Sequence, residues 1–94
     1  MKQNNRNIVA IDISKDTLQI QTKLTRFSVT NNHRGFSQIY QRISNSIENP
    51  LFVCESTGGY ERPLLAFCHS KQIDVALVNP RLIRAFALSE GIKA

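Results

Sequence analysis

The sequence predicts an α/β fold built on a mixed five-stranded sheet, with elements in the order β-β-β-α-β-α-β-α. Two runs of four apolar residues, 8–11 and 51–54, each lead directly into a carboxylate, as expected of strands buried on both faces. Two short segments between these runs alternate apolar and polar residues, and other segments have apolar residues at helical spacing. The length of 94 residues is enough for one small domain, which we expect to span residues 1–94.

The first part of the chain is predicted to form three antiparallel strands. The run at 8–12 is the first strand, and Leu18 and Ile20 alternate with glutamines in a half-buried second strand. Residues 26–30 alternate in the same way, and only short turns join the three segments. Such short connections favour antiparallel pairing.

The second part is predicted to alternate helices with strands. A helical face is formed by Phe36, Ile39, Tyr40, Ile43 and Ile47. Asn49-Pro50 should end this helix, residues 51–55 should form the fourth strand, and a second helix should begin between positions 61 and 63. Residues 73–78 are predicted as the fifth strand, and a third helix should follow from Pro80 to Gly91.

This order of elements favours a sheet in which crossover helices bring the later strands parallel to the first. It is the pattern of the ribonuclease H-like fold. A flavodoxin-like arrangement fits less well, because it lacks the three-stranded opening.

The composition favours a polyanionic partner. Twelve Lys and Arg residues against seven Asp and Glu give a net charge of +5, and neutralising phosphates supplies much of the affinity for nucleic acids. A basic domain without such a partner is the alternative. No apolar run approaches the roughly 18–20 residues that cross a bilayer, and the polar start leads into no secretory signal, so we expect a cytoplasmic protein.

The two cysteines do not indicate a metal site. Cys54 and Cys68 each lie in an apolar stretch, without the spacing of zinc ligands. We expect buried, reduced thiols.

Two carboxylates are the strongest candidates for chemistry. Asp12 and Glu55 each occupy the fifth position of an apolar run, so they should meet at one edge if their strands are parallel neighbours, about 4.8 Å apart. Carboxylates held that close repel each other unless a cation lies between them, and Mg²⁺ prefers such oxygen ligands. Phosphodiester cleavage or strand transfer uses this arrangement. The alternative is that both acids are simply solvated strand ends.

Residues near the two acids are candidates for nucleic-acid contact. Gly58 and Gly59 allow positive φ and close approach of a phosphate, and Thr57 and Tyr60 can hydrogen-bond to or stack on a nucleotide. The alternative is that this turn is only a connection.

Basic residues near the same strand ends are candidates for phosphate contact. Lys15 follows the first acid, and Arg81 and Arg84 lie in the first turns of the predicted third helix. Cations at the N-terminus of a helix oppose the helix dipole. Contact with phosphates would explain why two arginines lie there. The alternative is that both side chains extend into water, which screens the unfavourable interaction.

Three motifs in this order resemble a known family. They are IDISKDTL at 11–18, ESTGGYE at 55–61, and VNPR at 78–81 with the later FA and GIKA. The chain resembles the N-terminal catalytic domain of DEDD insertion-sequence transposases, the family that includes the pilin-gene inverting recombinases. The likeness covers essentially the whole chain.

The resemblance implies a Holliday-junction-resolvase-like, ribonuclease H-type domain that cleaves and transfers DNA strands with Mg²⁺ or Mn²⁺. Asp12 and Glu55 match the first two acids of the family's Asp-Glu-Asp-Asp set. The resemblance also implies DNA as partner, a guide RNA and a homo-oligomer for the full-length protein, and a bacterial cytoplasmic location.

The chain departs from the family pattern at one point. The last two Asp residues of the set normally follow the Gly-x-Lys-Ala stretch, which here is residues 91–94, the end of the printed sequence. The family's C-terminal domain, which supplies a catalytic Ser, would also follow this stretch. We therefore expect a truncated transposase that binds metal weakly and is inactive alone.

Two other functions stay open. One is a non-catalytic nucleic-acid-binding or regulatory module, in which the basic surface matters and the acids do not. The other is a phosphotransferase of the actin-like ATPase type, disfavoured because no Gly follows Asp12 in the predicted turn.

Overall fold

The computed structural model describes residues 6–78, which form a five-stranded mixed sheet and two helices. The strands are β1 (Asn7–Ile13), β2 (Thr17–Gln21), β3 (Arg26–Thr30), β4 (Pro50–Glu55) and β5 (Val75–Val78), and the helices are α1 (His33–Ser46) and α2 (Arg62–Ser70). The architecture is compatible with a ribonuclease H-like fold. The predicted third helix, with Arg81 and Arg84, lies outside the described residues.

The sheet has the spatial order β3-β2-β1-β4-β5. β1 pairs antiparallel with β2, and β2 pairs antiparallel with β3. β4 lies parallel to β1, and β5 lies parallel to β4. The predicted mixture of an antiparallel part and a parallel part is therefore present, with β1 at the junction between them.

The main core lies between the sheet and the two helices. It unites alternate residues of the strands with the inner sides of α1 and α2: Val9, Ile11, Ile13, Leu18, Ile20, Val29, Phe36, Ile39, Ile43, Phe52, Cys54, Leu64, Phe67 and Cys68. The expectation that β1 is buried on both faces is wrong in part, since Ile8 and Ala10 on its second face are only half-buried. β4 fits the expectation better, because Val53 on its second face is fully buried.

Helix α1 begins three residues earlier than its apolar spacing suggests. The side chain of Asn32 caps the helix by accepting a hydrogen bond from the Gly35 N–H at 3.0 Å, which satisfies one of the free N–H groups of the first turn. The helix ends at Ser46, and Ile47 already has extended backbone. Ile47 still packs against the core, which is why its position fits the helical period.

Helix α2 ends in a tight turn that delays the fifth strand. The Ile73 N–H donates to the Cys68 carbonyl at 2.8 Å, and Gln72 has a positive φ of 59°, the geometry of a common helix C-terminus. This turn uses residues 71–74, so β5 begins at Val75 and not at Ile73 as predicted.

Neither α1 nor α2, the helices of the described part of the chain, is long and apolar enough to cross a membrane.

Candidate functional site

The residues of the predicted site that lie within positions 6–78 are found at one edge of the sheet. β1 and β4 are parallel, so both end at this edge. β3 ends there too, because its last residue, Thr30, pairs with Thr17 at the start of β2. α1 follows β3 and α2 follows β4, so both helices begin at this edge. In open α/β sheets, ligands commonly bind outside the carboxyl ends of the strands.

Asp12 and Glu55 are adjacent in the strand register. The pairing of β1 with β4 runs from Asn7 opposite Pro50 to Ile11 opposite Cys54. Asp12 and Glu55 are the next residues on the two strands, so equal position in the apolar runs did correspond to equal position in the sheet. Parallel strands lie about 4.8 Å apart.

The two carboxylates are accessible and lack protein partners in the described region. Asp12 is exposed and Glu55 is half-buried. Within residues 6–78, no hydrogen bond or ion pair engages either side chain. On its other side Asp12 pairs with Gln19, an exposed neutral residue of β2. Both acids are therefore free to act as ligands.

The donor set fits a hard cation but does not complete a site. Two carboxylates supply the oxygen ligands that Mg²⁺ prefers, and this ion usually keeps several waters. Among residues 6–78, no group of three His, Cys, Asp or Glu side chains comes close enough to hold a metal ion. Further ligands would have to come from elsewhere.

The turn after β4 has the backbone geometry that its glycines predict. Gly58 has a φ of 85° and Gly59 a φ of 128°, values that side chains of L-residues rarely adopt. Within residues 6–78, and apart from the adjacent residues of the chain, no atom lies within 4 Å of the position that a Cβ would take at either glycine. The turn therefore leaves its backbone open to a close-fitting ligand. Tyr60 beside it is 48% exposed.

Glu61 holds this turn in shape, a role that the sequence analysis missed. Its Oε1 accepts hydrogen bonds from the Thr57 hydroxyl at 2.6 Å, the Thr57 N–H at 3.1 Å and the Gly59 N–H at 3.2 Å. The bond from the Thr57 hydroxyl and those from backbone N–H groups lower the pKa of Glu61 to about 2. The available signal was an acid placed four residues after Thr57, directly before a helix.

Asn31 joins the two connections that follow the strands of the two acids, a contact that the sequence pattern did not predict. Its Nδ2 donates to the Ser14 carbonyl at 2.9 Å and to the Tyr60 carbonyl at 3.1 Å. Its backbone N–H donates to the Asp16 carbonyl at 2.9 Å. The partners lie far away in sequence, so no local pattern could have revealed them.

Basic residues surround the same edge. Lys15 is exposed in the turn between β1 and β2. Arg34 and Arg62, which no sequence pattern had singled out, are exposed in the first turns of α1 and α2. His33 is exposed, with its ring edge-on to Phe67 at 5.7 Å between centroids.

The cysteines lie in the core, and Cys54 directly precedes Glu55 on β4. Cys54 and Cys68 are free and buried. Burial raises the pKa of Cys54 to about 11 and that of Cys68 to about 12; Glu61 and Glu55 add to the shift of Cys54, and Cys54 adds to that of Cys68. Both thiols therefore stay protonated, and they belong to the core.

Comparison with protein families identifies the kind of domain that this chain contains. A family model described as a transposase, of the DEDD type of IS110 insertion sequences, matches residues 9–93. No curated protein matches the sequence significantly.

Proposed function

The chain belongs to the IS110-type DEDD transposases, a family of DNA-processing enzymes, and we propose that it carries half of a metal site for DNA strand cleavage and transfer. Residues 1–94 then form the N-terminal part of one ribonuclease H-like catalytic domain. Asp12 and Glu55 are the proposed metal ligands and catalytic residues.

The observation that carries this proposal is the strand register. Asp12 and Glu55 follow directly on the last paired residues of two parallel neighbours, Ile11 and Cys54. Two solvated acids at unrelated strand ends would not be expected to share both the edge and the register. Their accessibility and their lack of protein partners within residues 6–78 leave both carboxylates available to a cation.

Mg²⁺ or Mn²⁺ is the proposed cofactor. Held by Asp12 and Glu55, such an ion would supply charge stabilisation to the attacking and leaving oxygens of a phosphodiester. The chain's own contribution is to hold two oxygen ligands on rigid strands, beside a turn whose backbone is open at Gly58 and Gly59. Rigid strands position ligands more precisely than loops do.

DNA is the proposed substrate, and the edge of the sheet is its proposed contact surface. Lys15 lies in the turn after Asp12, and Thr57, Gly58, Gly59 and Tyr60 follow Glu55. The net charge of +5 supports contact with phosphates.

Arg34 and Arg62, exposed in the first turns of the two helices, extend this proposed surface. Arg81 and Arg84 stay in the proposal on the sequence pattern alone. A guide RNA and assembly into a homo-oligomer are proposed for the full-length protein, on the family resemblance.

The chain alone should not cleave DNA. Two carboxylates hold an ion loosely, because a tighter site needs more oxygen ligands than the described residues bring together. We therefore propose weak metal binding without strand cleavage for these 94 residues.

Titration with Mg²⁺, followed by NMR of backbone amides, tests the proposed site. We expect shifts at the ends of β1 and β4, and their loss in the variants Asp12→Asn and Glu55→Gln. Asp16→Asn is the matched control, because Asp16 is an exposed acid in the adjoining turn and does not lie on the paired strands. The control should keep the wild-type response.

Two results would contradict the metal site. One is a titration without shifts near Asp12 and Glu55. The other is an equal loss of response in Asp16→Asn, which would indicate diffuse attraction of cations to an acidic surface. Robust Mg²⁺-dependent cleavage by the 94-residue chain, abolished by Asp12→Ala, would refute the proposed inactivity.

A second candidate function is a non-catalytic nucleic-acid-binding module. The specific observation in its favour is that the described residues bring only two acids together, whereas the chain as a whole is basic. Salt-dependent DNA or RNA binding that Asp12→Asn leaves unchanged, together with no metal response, would support this module over the enzyme.

A further inference from the structure

We infer that Asn31 is a positioning residue, which sets the two proposed ligand strands in the one arrangement that binds metal. This inference rests on the proposed metal site. Asn31 belongs to neither ligand strand. It lies in the connection between β3 and α1, and it contacts the connections that follow β1 and β4.

The hydrogen bonds of Asn31 form a bridge between those connections. One Nδ2 atom donates to the carbonyl of Ser14, two residues after Asp12, and to the carbonyl of Tyr60, five residues after Glu55. The two acceptors lie 17 and 29 residues from Asn31 along the chain. A movement of one connection relative to the other must therefore break or stretch one of these bonds.

Both ends of the bridge are anchored. Ser14 is fixed in its turn, because its N–H donates to the Thr17 carbonyl at 2.9 Å and its hydroxyl contacts the Thr17 hydroxyl at 2.8 Å. On the other side, the turn before Tyr60 is fastened by Glu61 through Thr57 and Gly59. The bridge thus links two ordered connections, and it thereby holds the ends of β1 and β4 in a fixed position relative to each other.

The amide of Asn31 has a defined orientation. Two carbonyls face the same atom of the side chain, and carbonyls accept but do not donate, so that atom must be the NH₂ group. The Oδ1 atom is buried and has no hydrogen-bond partner in the described part of the chain.

The test compares neighbouring asparagines. Asn31→Leu keeps the approximate size and removes both side-chain donors, and Asn31→Ala removes them without adding bulk. Asn32→Ala is the matched control, because Asn32 caps α1 and contacts Thr30 but neither Ser14 nor Tyr60. The control should lower stability, as loss of a helix cap does, without affecting the bridge.

Two readouts on the 94-residue chain separate the inference from the proposed function. The first is the dissociation constant for Mn²⁺, from paramagnetic broadening of amide signals. It should rise about tenfold in the Asn31 variants and change less than twofold in Asn32→Ala; tenfold corresponds to about 1.4 kcal/mol, the scale of one or two hydrogen bonds.

The second readout is amide hydrogen exchange without metal. In the Asn31 variants, exchange should accelerate together at Ser14 and at Gly59, whereas Asn32→Ala should accelerate it at Gly35. Unchanged exchange at Ser14 and Gly59 would overturn the bridge, and unchanged Mn²⁺ affinity would overturn its positioning role. If the wild-type chain binds no Mn²⁺, the proposed function fails, and exchange alone decides whether Asn31 couples the two connections.

Discussion

Replacing Gly35 by alanine should destabilise the protein, because α1 approaches the end of β3 too closely for a side chain. A Cβ at this position would lie 1.8 Å from the Thr30 carbonyl oxygen and 2.8 Å from the carbonyl carbon. Cβ atoms essentially never come within 3.0 Å of another atom in this way. The helix or the strand end would have to move by more than 1 Å, and both are backbone.

The expected loss is about 2 kcal/mol. Overpacking of this kind costs typically 1–3 kcal/mol, and the rigid backbone contact favours the upper value of about 3. Alanine returns about 1 kcal/mol through its higher helix propensity. A domain of this size loses about 4–8 °C in melting temperature per kcal/mol, so the melting temperature should fall by about 8–16 °C.

Urea unfolding followed by circular dichroism measures this loss. Gln38→Ala is the control, since Gln38 is exposed on the same helix and such substitutions stay within about 0.5 kcal/mol. If Gly35→Ala were as stable as the wild type, the close approach would be wrong. The described packing of α1 against the end of β3, the two elements that flank Asn31, would then lose its support.

Two further predictions concern ionisable groups. The hydrogen bonds to Glu61 lower its pKa from 4.5 to about 2, so this carboxylate stabilises the fold above pH 4.5 and the stabilisation is lost as the pH falls through 2. Urea midpoints measured between pH 2 and 6 should therefore decline less steeply in Glu61→Gln, and an identical decline would contradict this account of Glu61. Burial raises the pKa values of Cys54 and Cys68 to about 11 and 12, so both thiols should resist Ellman's reagent at pH 8 until urea unfolds the chain, and stability should fall above pH 9, where unfolded thiols ionise. Immediate reaction of both thiols in native buffer would show that they are not buried.

The alignment of the two acids could be predicted because it depends on local pattern. Each apolar run marks a strand, and the fifth position of each run is where burial gives way to a carboxylate. A crossover helix of ordinary length brings such strands parallel. The register of Ile11 opposite Cys54 then follows from burying matching residues of both runs in one core.

The bridge formed by Asn31 and the hydrogen bonds of Glu61 to its turn could not be predicted in the same way. Asn31 reads as a loop residue next to a helix cap, and its partners Ser14 and Tyr60 are brought to it only by the folded sheet. Glu61 reads as the start of a helix, whereas its side chain points back to Thr57. Hydrogen bonds of this kind have no periodicity, so a pattern analysis does not detect them.

The predicted limits of α1 and β5 were wrong because hydrogen bonds, and not apolar periodicity, determine where an element begins and ends. The period of apolar residues marks which residues face the core, not which backbone N–H groups are bonded. Ile47 packs against the core after α1 has ended, and Ile73 does so before β5 begins. The capping bonds of Asn32 and Ile73 fix the actual limits.

The central claim is that Asp12 and Glu55 act as one metal site, and paramagnetic broadening by Mn²⁺ tests it most directly. In the wild-type chain, the amide signals at the ends of β1 and β4 should broaden together, with the same dependence on Mn²⁺ concentration. Either Asp12→Asn or Glu55→Gln should abolish broadening at both strand ends. Broadening that persists at one end after the other acid is replaced, or that centres on Asp16, would contradict a shared site.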